Sequence, residues 1–309
     1  MEHFLDLLPQ TLLNGLTLGS VYALIALGYS MVYGILKLLN FAHGDIYMIG
    51  AYLGYGVYTL FYVDEGALLP TALIIVLMLV GAMVGAGVVS IAVERFAYRP
   101  LRYAPRIAPL ISALGVSFIL QNLVQITVGA QPLSYGSGTL IATDAVVTAG
   151  DLRIHASRLL VIGLTLVLML ALTLFVQRTR LGRAMRAVSI DLDAAAMMGV
   201  NVNQVIMVTF FIGAVLAGAG GVLVGIVFFS IRHTMGFLAG LKGFTAAVIG
   251  GIGSIPGAAL GGFLLGIVEA LASVYISITF KDAIAFLLLV AVLLIRPSGL
   301  LGQPLIQKV

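Results

Sequence analysis

Few residues in this chain could do chemistry, and they lie far apart. His43 and Asp45 stand two positions apart in Asn40-Phe41-Ala42-His43-Gly44-Asp45, just after Lys37. Such a pair would suit proton relay or contact with a polar solute. The plainer reading is a helix start, where Asn40 or Asp45 accepts backbone N–H bonds and Gly44 permits an unusual turn. Glu269 is alone in the apolar run Gly266-Ile267-Val268-Glu269-Ala270-Leu271. A carboxylate inside a membrane span costs about 2.5–3.5 kcal/mol on insertion scales unless it meets a partner or water. Glu269 therefore either lines a pathway or pairs with an interior base such as Lys242. Gln121, Asn122 and Gln125 form a milder polar cluster suited to interhelical hydrogen bonds. No Walker sequence, GxSxG or HExxH occurs. There is no cysteine, and the four histidines lack metal-ligand spacing. The expectation is a protein with no catalytic residue, no bound metal and no cofactor.

The third polar segment begins at Arg178. Arg178, Arg180, Arg183 and Arg186 flank Gly182, and Asp191-Leu192-Asp193-Ala194-Ala195-Ala196-Met197-Met198-Gly199 follows. Asp191 suits a helix N-cap, Asp193 the first turn, and Gly199 a C-terminal stop. About two turns of helix fit between them. So short a helix is marginal alone, and its alanine and methionine surface, Ala194 to Met198, is soft enough to dock in a groove on another protein. The segment 178–203 is thus expected to be a partner-docking loop rather than a bare connector.

The elements that carry these groups must lie in a membrane. Of 309 residues 61% are hydrophobic and 9% charged, against about 25% charged in a soluble domain. Stretches of about 20 apolar residues are needed to cross about 30 Å of hydrocarbon. They occur near 11–36, 45–63, 69–93, 108–129, 158–177 and 204–229. The apolar stretch 239–279 is too long for one span and is interrupted by Gly250-Gly251-Ile252-Gly253-Ser254-Ile255-Pro256-Gly257. It reads as a short segment near 240–252 followed by a span near 257–278, and a last span covers 282–295. The fold class is all-α: a single polytopic bundle over 1–309 with eight or nine membrane segments.

Orientation follows from the bases in short loops. Arg95, Arg99, Arg102 and Arg106 crowd one loop and the four arginines from 178 to 186 another, which places both in the cytoplasm. The acidic N-terminus, which lacks the basic start of a signal peptide, then lies outside. Asp64-Glu65 and the loop 130–157, with Asp144 and Asp151, lie outside with it. Arg296 and Lys308 put the C-terminus in the cytoplasm. The positive balance is thus a topology signal; no basic stripe with interleaved aromatics points to nucleic acid. Gly213, Ala217, Gly221 and Gly225 recur every fourth position on one helix face, the small-residue pattern that packs helices in lipid.

The chain resembles the LivH-type inner-membrane permease subunit of bacterial branched-chain amino acid ABC importers. The resemblance is carried by Asn14-Gly15-Leu16 with Gly19-Ser20-Val21-Tyr22-Ala23-Leu24, by Asn40-Phe41-Ala42-His43-Gly44, and by Thr179-Arg180-Leu181-Gly182-Arg183-Ala184-Met185-Arg186-Ala187 leading to Met198-Gly199-Val200. It continues through Lys242-Gly243-Phe244-Thr245-Ala246-Ala247-Val248 and Gly250-Gly251-Ile252-Gly253-Ser254. It implies a homologous second permease forming the pathway jointly with this chain. It also implies two cytoplasmic ATPases at the 191–199 helix, and a periplasmic protein delivering leucine, isoleucine or valine. Urea and short amides are also carried by members of the family. The other class of reading is a stand-alone secondary transporter or channel coupled through Asp45, Lys242 and Glu269; the capped loop favours the importer.

Overall fold

The computed structural model describes residues 2–63, 66–102, 104–105, 107–136, 140–141, 145–149 and 152–302. The sidedness residues Asp64, Glu65, Arg106, Asp144, Asp151 and Lys308 lie outside them. Eleven α-helices are described: α1 (Glu2–Leu36), α2 (His43–Phe61), α3 (Thr71–Val93), α4 (Ile107–Thr127), α5 (Ala156–Arg178), α6 (Arg180–Ile190), α7 (Leu192–Met197), α8 (Val202–Phe228), α9 (Met235–Gly250), α10 (Ile255–Tyr275) and α11 (Lys281–Ile295). Six of them, α1, α3, α4, α5, α8 and α10, are long and apolar enough to cross a membrane. The stretch 239–279 is divided as the glycines suggest, with α9 and α10 on either side of residues 251–254.

The helices sort into an inner and an outer set. In α1 83% of the apolar window is buried, whereas in α5 it is 17%, so α1 is core and α5 a peripheral wall. Outward faces are apolar, with Val76, Val80, Val84 and Val88 of α3 exposed in register. That inverts a soluble protein and fits lipid as the outer solvent.

Helix directions define two ends of the bundle. At one, Arg102 of the α3 extension joins Asn203 at the start of α8 (2.7 Å), and α6 lies against α1 and α8. Caps crowd here too: Thr179, Asp191, Asn201 and Ser254 each accept a backbone N–H at the start of α6, α7, α8 and α10. At the other end sit three short antiparallel strand pairs, 62–63 with 66–67, 133–134 with 230–231, and 145–149 with 152–155.

Two helices start inside the bundle, not at either end. His43, the first residue of α2, lies against Gly28, and Gly28 in turn packs on Gly213. Gly28 is eight residues from the end of α1 and Gly213 eleven from the start of α8. At 1.5 Å per residue these are about 12 and 16 Å from the arginine-rich end, so α2 begins near mid-depth. The start of α9 meets it there. Gly44 and Gly236 oppose each other backbone to backbone: a methyl group on Gly236 would come within 2.6 Å of the Gly44 carbonyl, and one on Gly44 would strike the Gly236 carbonyl. From that contact α2 runs to the strand end and α9 to the arginine end, where Leu300 and Leu301 donate to Ile249 and Gly250.

The two starts are built alike. The only non-glycine residues with positive φ among those described are Lys37 (54°) and Phe229 (56°), at the ends of α1 and α8. Each stands six positions before the first residue of the next helix, Lys37 before His43 and Phe229 before Met235, and the second residue of that helix is Gly44 or Gly236. Around them, α1 packs on α10 as α8 packs on α3, and α2 lies along α3 as α9 lies along α10. The units α1–α2–α3 and α8–α9–α10 are therefore an inverted repeat about an axis through the glycine contact, an organisation common in transporters. Neither the length nor the composition of the chain signals it.

Small residues make the close approaches. Along α10, Gly257 and Gly261 face Gly250 and Ala246 of α9, whereas Gly262 and Gly266 face Ala23 and Gly19 of α1. The face Gly213, Ala217, Gly221, Gly225 is fully buried: Gly213 meets α1, Gly221 the Tyr47 carbonyl of α2, and Gly225 the Tyr135 ring.

Candidate functional site

The five candidate pathway residues fall into two clusters. Asn40, His43 and Asp45 are at the mid-depth junction and all are buried. The helix-cap reading of this segment does not hold. Ala42 occupies the N-cap of α2 with no side-chain bond. Asn40 Oδ1 instead accepts from the Tyr98 hydroxyl (2.9 Å), and Asp45 accepts from Ser117 and from Gln121 Nε2 (3.0 Å) on α4. Gly44 makes no unusual turn; it is helical and is needed for the approach of α9. His43 stacks edge-on to Tyr29, with ring centroids 4.9 Å apart. No described base lies within 4 Å of Asp45. Its charge is met by a hydroxyl, an amide and the converging N-termini of α2 and α9, the positive ends of two helix dipoles. Of the α4 polar cluster, only Gln121 bonds across helices; Asn122 donates within its own helix to Phe118.

Lys242 and Glu269 form the second cluster. Lys242 Nζ is 2.7 Å from Glu269 Oε1 and 2.6 Å from Asp282 Oδ1, and Lys281 Nζ is 3.8 Å from Glu269. The Tyr22 hydroxyl donates to Glu269 Oε2 at 2.9 Å, and Lys242 lies 5.7 Å from the Tyr22 ring centre. The two bases and two acids balance, which is what makes the charges tolerable in a span. Asp282, Lys281 and Tyr22 escaped sequence reading because their only signal was proximity in space.

The arginine end holds the third site. Arg180, Arg183 and Arg186 lie on α6, an 11-residue amphipathic helix that buries Gly182, Met185 and Val188. Arg186 reaches the Val176 carbonyl, and a side chain at Gly182 would strike the carbonyls of Phe175 and Val176. These arginines belong to the segment expected to dock a partner, but sequence reading places a helix only at 191–199; the spacing of Gly182, Met185 and Val188 was the signal for a second one. In α7, Asp191 Oδ1 accepts from Ala194 N (2.9 Å). The helix ends in a Schellman pair, Val200 N to Ala195 O and Gly199 N to Ala196 O, and Gly199 has φ of 84°. Ala195 is buried and so belongs to no docking face. Ile190, Met197 and Met198 are the exposed apolar residues, each more than 80% accessible.

Comparison with known proteins decides the family. The family described as branched-chain amino acid transport system, permease component, matches residues 11–293. The chain belongs to this permease family. The high-affinity branched-chain amino acid transport system permease protein LivH of Escherichia coli K12 is 46% identical, over 100% of this chain and 99% of its own. The corresponding protein BraD of Pseudomonas aeruginosa is 45% identical over 97% of each. A more distant similarity, 30% identity over 46% of the chain, is to the fructose import permease FrcC of Rhizobium meliloti. No solved structure matches the permease.

Proposed function

We propose that this permease is the inner-membrane translocation subunit of an ATP-driven importer for branched-chain amino acids, with no catalysis of its own. The substrate class follows the names of the full-length relatives. A second, homologous permease completes the pathway. A periplasmic binding protein delivers the solute, and two cytoplasmic ATPases engage the segment 178–203. The N-terminus faces the periplasm and the C-terminus the cytoplasm.

One observation carries the coupling role: α6 and α7 form a pre-ordered unit fixed at both ends. Thr179 and Asp191 cap its two helices, Gly199 closes it, and α6 is anchored under α1 and α8. Arg180 and Arg183 stand exposed on it, and Ile190, Met197 and Met198 give an apolar tip. Exposed methionines make adaptable contacts, and an anchored helix can pass a push from its tip to α1 and α8. Asn40, His43 and Asp45 at the mid-depth contact are the groups such a push would move.

Replacing Gly199 by valine puts a β-branched residue at a positive φ and should displace the α7 tip. The expected result is that ATPase subunits no longer co-purify with the chain and uptake is lost, while the bundle still expresses. Undiminished co-purification and uptake would remove the docking role. A chain that transports alone, without ATPase subunits, would favour the stand-alone reading.

A further inference from the structure

Between α1, α5, α8, α10 and α11, at the strand end, the bundle holds a cavity of about 240 Å³. That is below the roughly 300–1,000 Å³ of drug-sized sites and suits a solute of few atoms. Its lining is divided by chemistry. Arg158, at the start of α5, and Lys281, at the start of α11, reach it as cations, and Glu269 reaches it as an anion. Leu18, Val227 and Phe228 give it an apolar wall. Arg158 stands out because it has a single described partner, the neutral Asn14 side chain, with no described carboxylate within 4 Å. Every other cation at this place is matched by an acid. A guanidinium left without an anion in a small cavity is suited to a carboxylate, which it takes with two parallel bonds.

We infer that this cavity is a binding site for one zwitterionic amino acid with an apolar side chain. The α-carboxylate is held by Arg158 with Asn14 beside it. The α-ammonium faces Glu269, joining Lys242 (2.7 Å) and Lys281 (3.8 Å) at Oε1, while the other oxygen accepts from Tyr22. The side chain lies against Leu18, Val227 and Phe228. The site sits at the end of the bundle opposite α6 and α7, where a solute would be received rather than released. The inference rests on the amino-acid import reading and gives it a place in this chain.

The chain has no native cysteine, so Ser273→Cys on the cavity wall provides a single reporter. In membranes carrying the full-length chain, a water-soluble maleimide should label it, and millimolar L-leucine should slow the labelling. N-acetyl-leucine, lacking the ammonium, and leucinamide, lacking the carboxylate, should not. Adding Arg158→Gln should weaken protection by about tenfold in leucine concentration, the worth of one bond to a charged group, with unliganded labelling unchanged. Arg158→Lys should retain part of it, which separates a lost ligand contact from a lost fold. No labelling, no protection, or equal protection by all three compounds overturns the site. ATP-driven leucine uptake by the complete importer distinguishes the two readings. Uptake without protection removes the cavity and leaves the import function, whereas protection without uptake removes the import function and leaves the site.

Discussion

The two halves of the permease share a backbone plan and differ in how they meet a buried charge. In α1–α2–α3 the interior acid is Asp45, next to the Gly44–Gly236 contact, answered only by Ser117, Gln121 and two helix N-termini. In α8–α9–α10 it is Glu269, answered by Lys242, Lys281 and Tyr22. The glycines and the left-handed residues Lys37 and Phe229 recur at matched places because they build the breaks. The polar groups do not recur. The scaffold is thus the duplicated part, and the charges mark where the halves diverge in work. Glu269 ties α10 to α9 and α1 through charged and hydroxyl partners, whereas Asp45 is met only by neutral donors and helix dipoles among the described residues.

Breaking the compensated side should have the largest effect. Lys242→Met leaves Glu269 and Asp282 facing each other, and removal of one member of a buried pair costs about 3–5 kcal/mol. Thermal unfolding of the solubilised chain should show a deep loss, largely recovered in the double variant Lys242→Met with Glu269→Gln, since the coupling is between neighbours. An undiminished Tm in Lys242→Met would mean that the pair carries no stability.

A smaller effect tests the shared plan. Gly44→Ala and Gly236→Ala each force a methyl group into the opposing backbone, and overpacking of this kind costs about 1–3 kcal/mol. The two should destabilise by similar amounts, and together by less than their sum, because both relieve the same contact. A mild Gly236→Ala beside a severe Gly44→Ala would contradict a common axis.

Smallest of all on stability is Asp45→Asn. Ser117 and Gln121 can reverse their bonds to an amide, so the loss should stay within about 1 kcal/mol, while uptake falls if the charge serves movement. Full uptake in Asp45→Asn would assign Asp45 to packing.

Much of this was legible in the sequence, for stated physical reasons. Spans are visible because lipid demands long apolar runs, and the break at 250–257 is visible because glycine and proline cannot hide in one. Asp191 and Gly199 were readable because caps depend on local backbone needs alone. The pairing of Lys242 with Glu269 could be named because few interior charges exist to choose from. What could not be read was relation across the chain. Ser117 and Gln121 meet Asp45 from 72 and 76 residues away, and nothing local marks them. The inverted repeat was hidden because its left-handed residues are a lysine and a phenylalanine, where a glycine would have drawn notice. Helix α6 was concealed by its own arginines, whose topology signal masked the inward spacing of Gly182, Met185 and Val188.

The central claim is that α9 begins at mid-depth and returns to the arginine end, so that α10 crosses and the turn 276–280 emerges opposite α6. Single cysteines in this cysteine-free chain measure it directly. Thr279 and Ala187 are both exposed. Thr279→Cys should react with a membrane-impermeant maleimide in spheroplasts, and Ala187→Cys only after the membrane is opened. Labelling of both from the same side would contradict the returning α9, and with it the inverted repeat.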